Sequence, residues 1–163
     1  MGVLNKKEQP AYTIIVGCGR LGASIANTLS DAGENVMIID RNQDSFRKLS
    51  PSFGGLAIKG DATEISVLKE AEIQKATSVI AVTNIDNTNI MIAQMAKETF
   101  QIKNVIARLY DPDRECVYRE FNIDTICPSV LSAQAVDRLL HGGGNCADGM
   151  VREARDEGFR EER

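Results

Sequence analysis

Gly17, Gly19 and Gly22 stand in the pattern GxGxxG, with Cys18, Arg20 and Leu21 between them and Asp40 about eighteen residues beyond the last glycine. That spacing suits a diphosphate. Gly17 permits a tight turn, Gly19 lets the backbone approach phosphate oxygens, and Gly22 lets a new helix lie close to the preceding strand. The phosphates would meet unpaired N–H groups at the positive end of a helix dipole. Asp40 stands where such a fingerprint places an acid for ribose hydroxyls, and the adjacent Arg41 would soften any discrimination against a 2′-phosphate. Two chemistries use this cradle, a redox cofactor held for catalysis and a nucleotide held for signalling. The bland alternative is a glycine turn used only for packing, with Asp40 merely ending its strand.

These residues need a strand, a turn and a helix in sequence, and the pattern supplies them. Tyr12 to Val16 is a short apolar, mainly β-branched run, after which Leu21, Ile25, Ala26 and Leu29 fall on one helical face. A second strand, Val36 to Ile39, leads into Asp40. The alternation continues: "NQDSFRKL" as a short helix, "LAIK" as a third strand, "EISVLKEA" as a helix, "SVIAVT" as a fourth strand, and a long helix from about Asn89 to Phe100. Then come "NVIARLY" as a fifth strand, "PDRECVYREF" as a helix, "DTIC" as a sixth strand and "VLSAQAVDRLL" as a last helix. Strands alternating with helices through short connections predict an α/β, doubly wound, Rossmann-like fold, with a six-stranded parallel sheet and helices on both faces.

The 163 residues fit one domain, placed at 12–140, behind an N-terminal extension at 1–11. From His141 three glycines introduce a segment of mixed charge, so 141–163 reads as a flexible tail, with a docked helix from Met150 to Phe159 as the alternative. A net charge of -4 leaves no basic excess to displace counterions, which argues against a nucleic-acid partner. No apolar stretch reaches the roughly twenty residues that span a bilayer, and the N-terminus lacks a secretory signal, so a cytoplasmic chain is expected. Cys18, Cys116, Cys127 and Cys146 form no CxxC pair and no metal-ligand spacing with His141, so buried or incidental thiols are the expectation. Cys18 lies in the glycine loop near a helix N-terminus, where a thiol pKa can fall, and a redox-sensing role would begin there.

In an open α/β sheet, ligands bind beyond the carboxyl ends of the strands. The third strand delivers Gly60, Asp61, Ala62 and Thr63, the fourth Thr83 and Asn84, and the fifth Arg108, all toward the crevice of the glycine loop. Each has a second reading. Asp61 with Glu64 resembles a capping box, Asn84 or Asp86 could cap the next helix, and Arg108 could be a surface or ion-pair residue. Capping and ligand contact are compatible. A small NAD-dependent oxidoreductase would also need a substrate pocket and a group that moves a proton. His141 falls past the predicted last helix, no Tyr precedes a Lys by four residues, and neither GxSxG nor HExxH occurs. A binding module, not an enzyme, is expected.

Four segments in order, "IIVGCGRLGASIANTLSDAGENVMIIDRN", "GDATEISVLKEAEIQKATSVIAVTNIDNTN", "NVIARLYDPD" and "FNIDTICPSVLSA", resemble the KTN domain, also called the RCK N-domain, of bacterial potassium-transport regulators of the TrkA and KtrA type. The resemblance covers about Tyr12 to Leu140. It implies a regulatory subunit that binds AMP, ADP, ATP or NAD(H), pairs as a homodimer or larger ring, and docks on the inner face of an integral-membrane potassium channel or transporter. It also implies that Gly17 to Gly22 hold the phosphates and that Arg20 contacts them. Asp40 would take the ribose, Asp61 and Ala62 would border adenine, and Thr83, Asn84 and Arg108 would close the crevice. Two departures stand out. Ser129 occupies a position where the family often has Glu, and the usual C-terminal RCK domain does not follow, so the expectation is that a second ligand site is absent or that a separate chain supplies the RCK C-domain. The apolar residues Val130, Val136, Leu139 and Leu140 of the last helix read equally as a dimer surface or as core packing.

Overall fold

A computed structural model of the chain describes residues 12–141. The expected extension at 1–11, the tail beyond His141, the alternative helix from Met150 to Phe159 and Cys146 lie outside the described residues. Six strands form one sheet: β1 (Tyr12–Val16), β2 (Asn35–Asp40), β3 (Leu56–Lys59), β4 (Ser78–Ala81), β5 (Asn104–Arg108) and β6 (Asp124–Ile126). All pairings are parallel and the order is β3-β2-β1-β4-β5-β6, so the direction of winding reverses between β1 and β4. This is the Rossmann-like sheet expected from the sequence.

Period-two side chains explain why the central strands read as unbroken apolar runs. Ile14, Val16, Met37, Ile39, Val79, Ala81, Val105 and Ala107 share one buried cluster with residues from helices α2 (Ile65–Glu70), α3 (Asp86–Gln94) and α4 (Glu115–Glu120). Ile15, Val36, Ile38, Ile80 and Val82 face the other way, against Ala23 and Ala26 of helix α1 (Arg20–Asp31). Both faces of the strands next to the switch point are therefore buried.

Three expectations change. The short helix after Asp40 is a 3-10 helix, Gln43–Lys48, with no buried residue, and Asn42 caps its start by accepting from the Asp44 N–H. The fourth connection starts at Asp86 as α3 and widens into a π-helical stretch at Met95–Thr99 before Phe100. The last helix, α5 (Pro128–His141), includes His141, which the sequence placed beyond it; Asp137, one turn back, lies 2.9 Å from its Nδ1. No residue of α5 is buried, and Val130, Leu131, Val136, Leu139 and Leu140 are exposed, which removes the core-packing reading of this helix. It follows the outermost strand β6, and nothing among the described residues lies over it.

Candidate functional site

The glycine loop is shaped by three different constraints. Gly17 has φ 103°, and a Cβ there would press on the Thr83 N–H and the Val82 carbonyl. At Gly22 a Cβ would overlap the Gly17 carbonyl oxygen, so α1 lies against β1 only because that side chain is absent. Gly19 differs: a Cβ there would meet nothing within 4 Å. The backbone at Gly19 faces open space, which is what a closely approaching phosphate requires. Gly19 is also the N-cap of α1, which has no side-chain cap and no acidic residue in its first turn. The free N–H groups of that turn have no side-chain acceptor, and the helix dipole adds to their pull on an anion.

Asp40 locks this loop to β2. Its Oδ2 accepts from the Cys18 N–H at 2.7 Å and its Oδ1 from the Asn42 N–H at 2.8 Å. Each oxygen retains a lone pair for a further donor. At the neighbouring strand end, Arg41 pairs with Asp61 at 2.8 Å. Asp61 does not cap α2 as the sequence suggested, because Glu64 is the N-cap and Oδ1 of Asp61 turns to the Thr63 N–H and hydroxyl, at 2.9 and 2.7 Å. The Thr63 hydroxyl, its N–H and Arg41 hold the Asp61 carboxyl below the usual carboxylate range, against the opposing effect of desolvation.

The β4 and β5 ends are held by a residue that sequence reasoning missed. Asn89 of α3 is 0% exposed, and its Oδ1 accepts from the Thr83 N–H at 2.9 Å and the Thr83 hydroxyl at 2.7 Å. Its Nδ2 donates to the Thr83 carbonyl at 3.1 Å and to the Arg108 carbonyl at 3.0 Å. One amide thus ties both strand ends together. Its signal in the sequence was a polar residue in the buried series Asn89, Ile92, Ala93 and Ala96, on an otherwise apolar stripe. The capping roles expected of Asn84 and Asp86 are also corrected. Ile85 is the N-cap of α3, and the Asp86 carboxylate instead accepts from the Tyr110 and Asp111 N–H groups, at 2.9–3.2 Å. Arg108 sits 5.2 Å from the Tyr110 ring centroid, and its buried Nε has no hydrogen-bond partner. A buried donor without an acceptor is costly, and a bound anion would relieve it.

These elements enclose a crevice of about 400 Å³ at the switch point, within the range of small-molecule sites. Gly17, Gly19, Asp40, Arg41, Gly60, Ala62, Thr83, Asn84 and Arg108 line it, as the sequence expected. Val16, Ile39, Ser45, Val82 and Ile85 line it as well, and were not expected; apolar strand ends carry no signal beyond their strand, and Ser45 arrives through the 3-10 turn. Cys18, Arg20, Leu21, Gly22, Asp61 and Thr63 are not among the lining residues. Leu21 packs on the core beneath α1, Gly22 is buried, and Arg20 is exposed at the first position of α1. The Cys18 thiol is 0% exposed and donates to the Ser45 carbonyl at 3.3 Å. Burial first and the Asp40 carboxylate second push its pKa up, so the lowered pKa that a redox sensor needs is not found there.

The residues present fit a nucleotide: open space over Gly19, an uncapped helix start, an orphaned Arg108 Nε, and an acid at the end of β2. Among the described residues no group of three or more His, Cys, Asp or Glu is placed to hold a metal ion, and no helix is long and apolar enough to cross a membrane.

The chain matches the family model described as the TrkA-N domain over residues 13–128. It is 41% identical over 133 residues to the Trk system potassium uptake protein TrkA of Streptomyces coelicolor, covering 81% of this chain and 60% of the relative. The chain therefore spans under two thirds of that relative's length. Its fold is similar to the TrkA-N domain of the inner membrane protein ybaL from Escherichia coli, with a TM-score of 0.72 at 19% identity over 82% of this chain and 99% of that one. It is also similar to GsuK bound to ADP, with a TM-score of 0.69 at 25% identity over 80% of this chain and 34% of that one.

Proposed function

The chain belongs to the TrkA-N domain family, and from that premise we propose that it is a nucleotide-binding regulatory component of a potassium-uptake system. Its crevice takes an adenine nucleotide, AMP, ADP or ATP, or NAD(H). An integral-membrane potassium channel or transporter then reads the resulting change of state from the cytoplasmic side. The observation that carries this reading is the set of donors without acceptors around one crevice, the uncapped start of α1 and the buried Arg108 Nε, with Asp40 at its far end. Two likenesses support the ligand and the partner: a potassium-uptake protein at 41% identity and the ADP-bound GsuK at 25%.

In this reading the glycine loop and the α1 dipole hold the phosphates, and Arg20 reaches them from the first position of α1. Asp40 accepts from the ribose, Ala62 borders adenine, Asp61 stands behind the wall on Arg41 and Thr63 rather than against the base, and Thr83, Asn84 and Arg108 close the other end. The ligand acts by binding two conformations differently, the only way a ligand shifts an equilibrium. A reductase would need a proton carrier, and the carboxylate lining the crevice, Asp40, is instead engaged by the Cys18 and Asn42 N–H groups and assigned to the ribose. The exposed apolar residues of α5 support self-association, as a homodimer or larger ring.

Calorimetry with AMP, ADP, ATP and NADH, together with potassium flux in vesicles carrying the transporter, tests the proposal. Saturable nucleotide binding that changes flux is the expected result. Binding of none of the four, or binding without any effect on flux, would overturn it. Light scattering that shows only monomer at high concentration, with and without nucleotide, would remove the self-association.

A further inference from the structure

The ends of β2 and β3 bring two opposing instructions together. Asp40 and Arg41 both line the crevice, side by side where a nucleoside ribose would sit. In a cradle of this type, an acid at the end of the second strand accepts from the 2′-hydroxyl, whereas a neighbouring arginine accommodates a 2′-phosphate. The chain carries both, so local sequence leaves the preference undecided. The strand register decides it. Asp40 pairs with Lys59 and its carbonyl accepts from the Gly60 N–H at 3.0 Å, which delivers Asp61 opposite Arg41.

There the Arg41 guanidinium meets Oδ2 of Asp61 at 2.8 Å, while Oδ1 of Asp61 accepts from the Thr63 N–H and hydroxyl at 2.9 and 2.7 Å. Thr63 fixes Asp61, and Asp61 fixes Arg41. Asp61 itself is not among the lining residues. We propose that Asp61 is a specificity-determining residue, which withholds the Arg41 guanidinium from the ribose 2′ position and so makes the crevice reject 2′-phosphorylated nucleotides. Asp40 repels the added phosphate and Arg41 is not free to offset that repulsion.

The inference rests on the nucleotide reading of the crevice. Its test uses ligand pairs that differ only by the 2′-phosphate: 5′-AMP against adenosine 2′,5′-bisphosphate, and NADH against NADPH. Affinities are measured by calorimetry for the wild type, Asp61→Asn, Arg41→Ala and the double variant. The quantity read is the ratio of the two affinities within each pair, which cancels any general loss of binding. Asp61→Asn should move the ratio toward the 2′-phosphorylated ligand by about tenfold, the low end for a charge-assisted hydrogen bond because both side chains are partly exposed. Arg41→Ala alone should leave the ratio near the wild-type value, and the double variant should return to it. Asp61→Ser, which removes the charge but suits the same turn, should repeat the shift if Asp61→Asn fails to fold. An unmoved ratio in the folded Asp61 variant, or a shift that persists in the double variant, overturns the assignment while leaving nucleotide binding intact. A wild type that binds neither member of either pair overturns the nucleotide reading, and the assignment with it.

Discussion

Asn89→Asp isolates one amide from the rest of the fold. Aspartate has nearly the same shape and keeps an oxygen where Oδ1 accepts from the Thr83 N–H and hydroxyl. On the other side, an oxygen replaces the Nδ2 donor and faces the carbonyls of Thr83 and Arg108, which Nδ2 now reaches at 3.1 and 3.0 Å. The side chain is 0% exposed, so water does not replace the missing donor. Two carbonyls that lose their partner at about 1–3 kcal/mol each give an expected loss of about 2–6 kcal/mol, against a total stability of about 5–15 kcal/mol for a domain. Burial raises the pKa of the introduced carboxyl, and its protonated form donates to one carbonyl and recovers part of the loss. With a raised folded-state pKa, that recovery is complete below the unfolded value and is lost as pH rises through the folded one. Urea unfolding at about pH 5 and about pH 8, with protein concentration held fixed, should therefore show a deficit that widens with pH. Nucleotide affinity should fall in parallel, because Thr83 and Arg108 lose their tie. A deficit within about 0.5 kcal/mol at both pH values, the range of an ordinary surface change, would refute the tie.

Arg20→Ala should weaken ADP and ATP more than AMP by about 1.5–3 kcal/mol and leave adenosine nearly unaffected; equal losses across the phosphate series in calorimetry would return Arg20 to the protein surface. Gly22→Ala places a Cβ onto the Gly17 carbonyl oxygen and against Val82, so α1 must lift from β1 at a cost of about 1–3 kcal/mol or more, read as a lower urea midpoint. Thr63→Val removes the leading cause of the lowered Asp61 pKa, and NMR titration should find that pKa moved up toward the ordinary carboxylate range. In the wild type, the stability Asp61 contributes is present above that ordinary range and is lost as pH falls through the lowered value. A thiol-alkylating reagent should modify exposed Cys116 well before Cys18, whose pKa is raised by burial; mass spectrometry that finds Cys18 modified first in the folded protein would contradict its burial.

The glycine loop and its flanking elements were legible because these parts are close in the chain. Strand, glycine turn, helix and terminal acid all fall between Tyr12 and Asp40, where spacing alone leaves the backbone open at Gly19 and sets Gly22 against a strand. The parallel sheet was equally legible, since apolar runs buried on both faces alternate with helices. Tertiary structure decided what depends on partners distant in sequence. The pattern of α5 is the same whether its apolar residues meet a core or a partner, and only the position of β6 at the sheet edge left Val136, Leu139 and Leu140 exposed. Asp61 and Asp86 had the composition of helix caps, yet the fold turned one to Arg41 and Thr63 and the other to the Tyr110 and Asp111 N–H groups. Asn89 acquired its role only when parallel pairing of β4 with β5 set the carbonyls of Thr83 and Arg108 within reach of one amide. A hydrogen bond needs its partner within about 3 Å and in line, and for such pairs only the register of the sheet supplies that distance and direction.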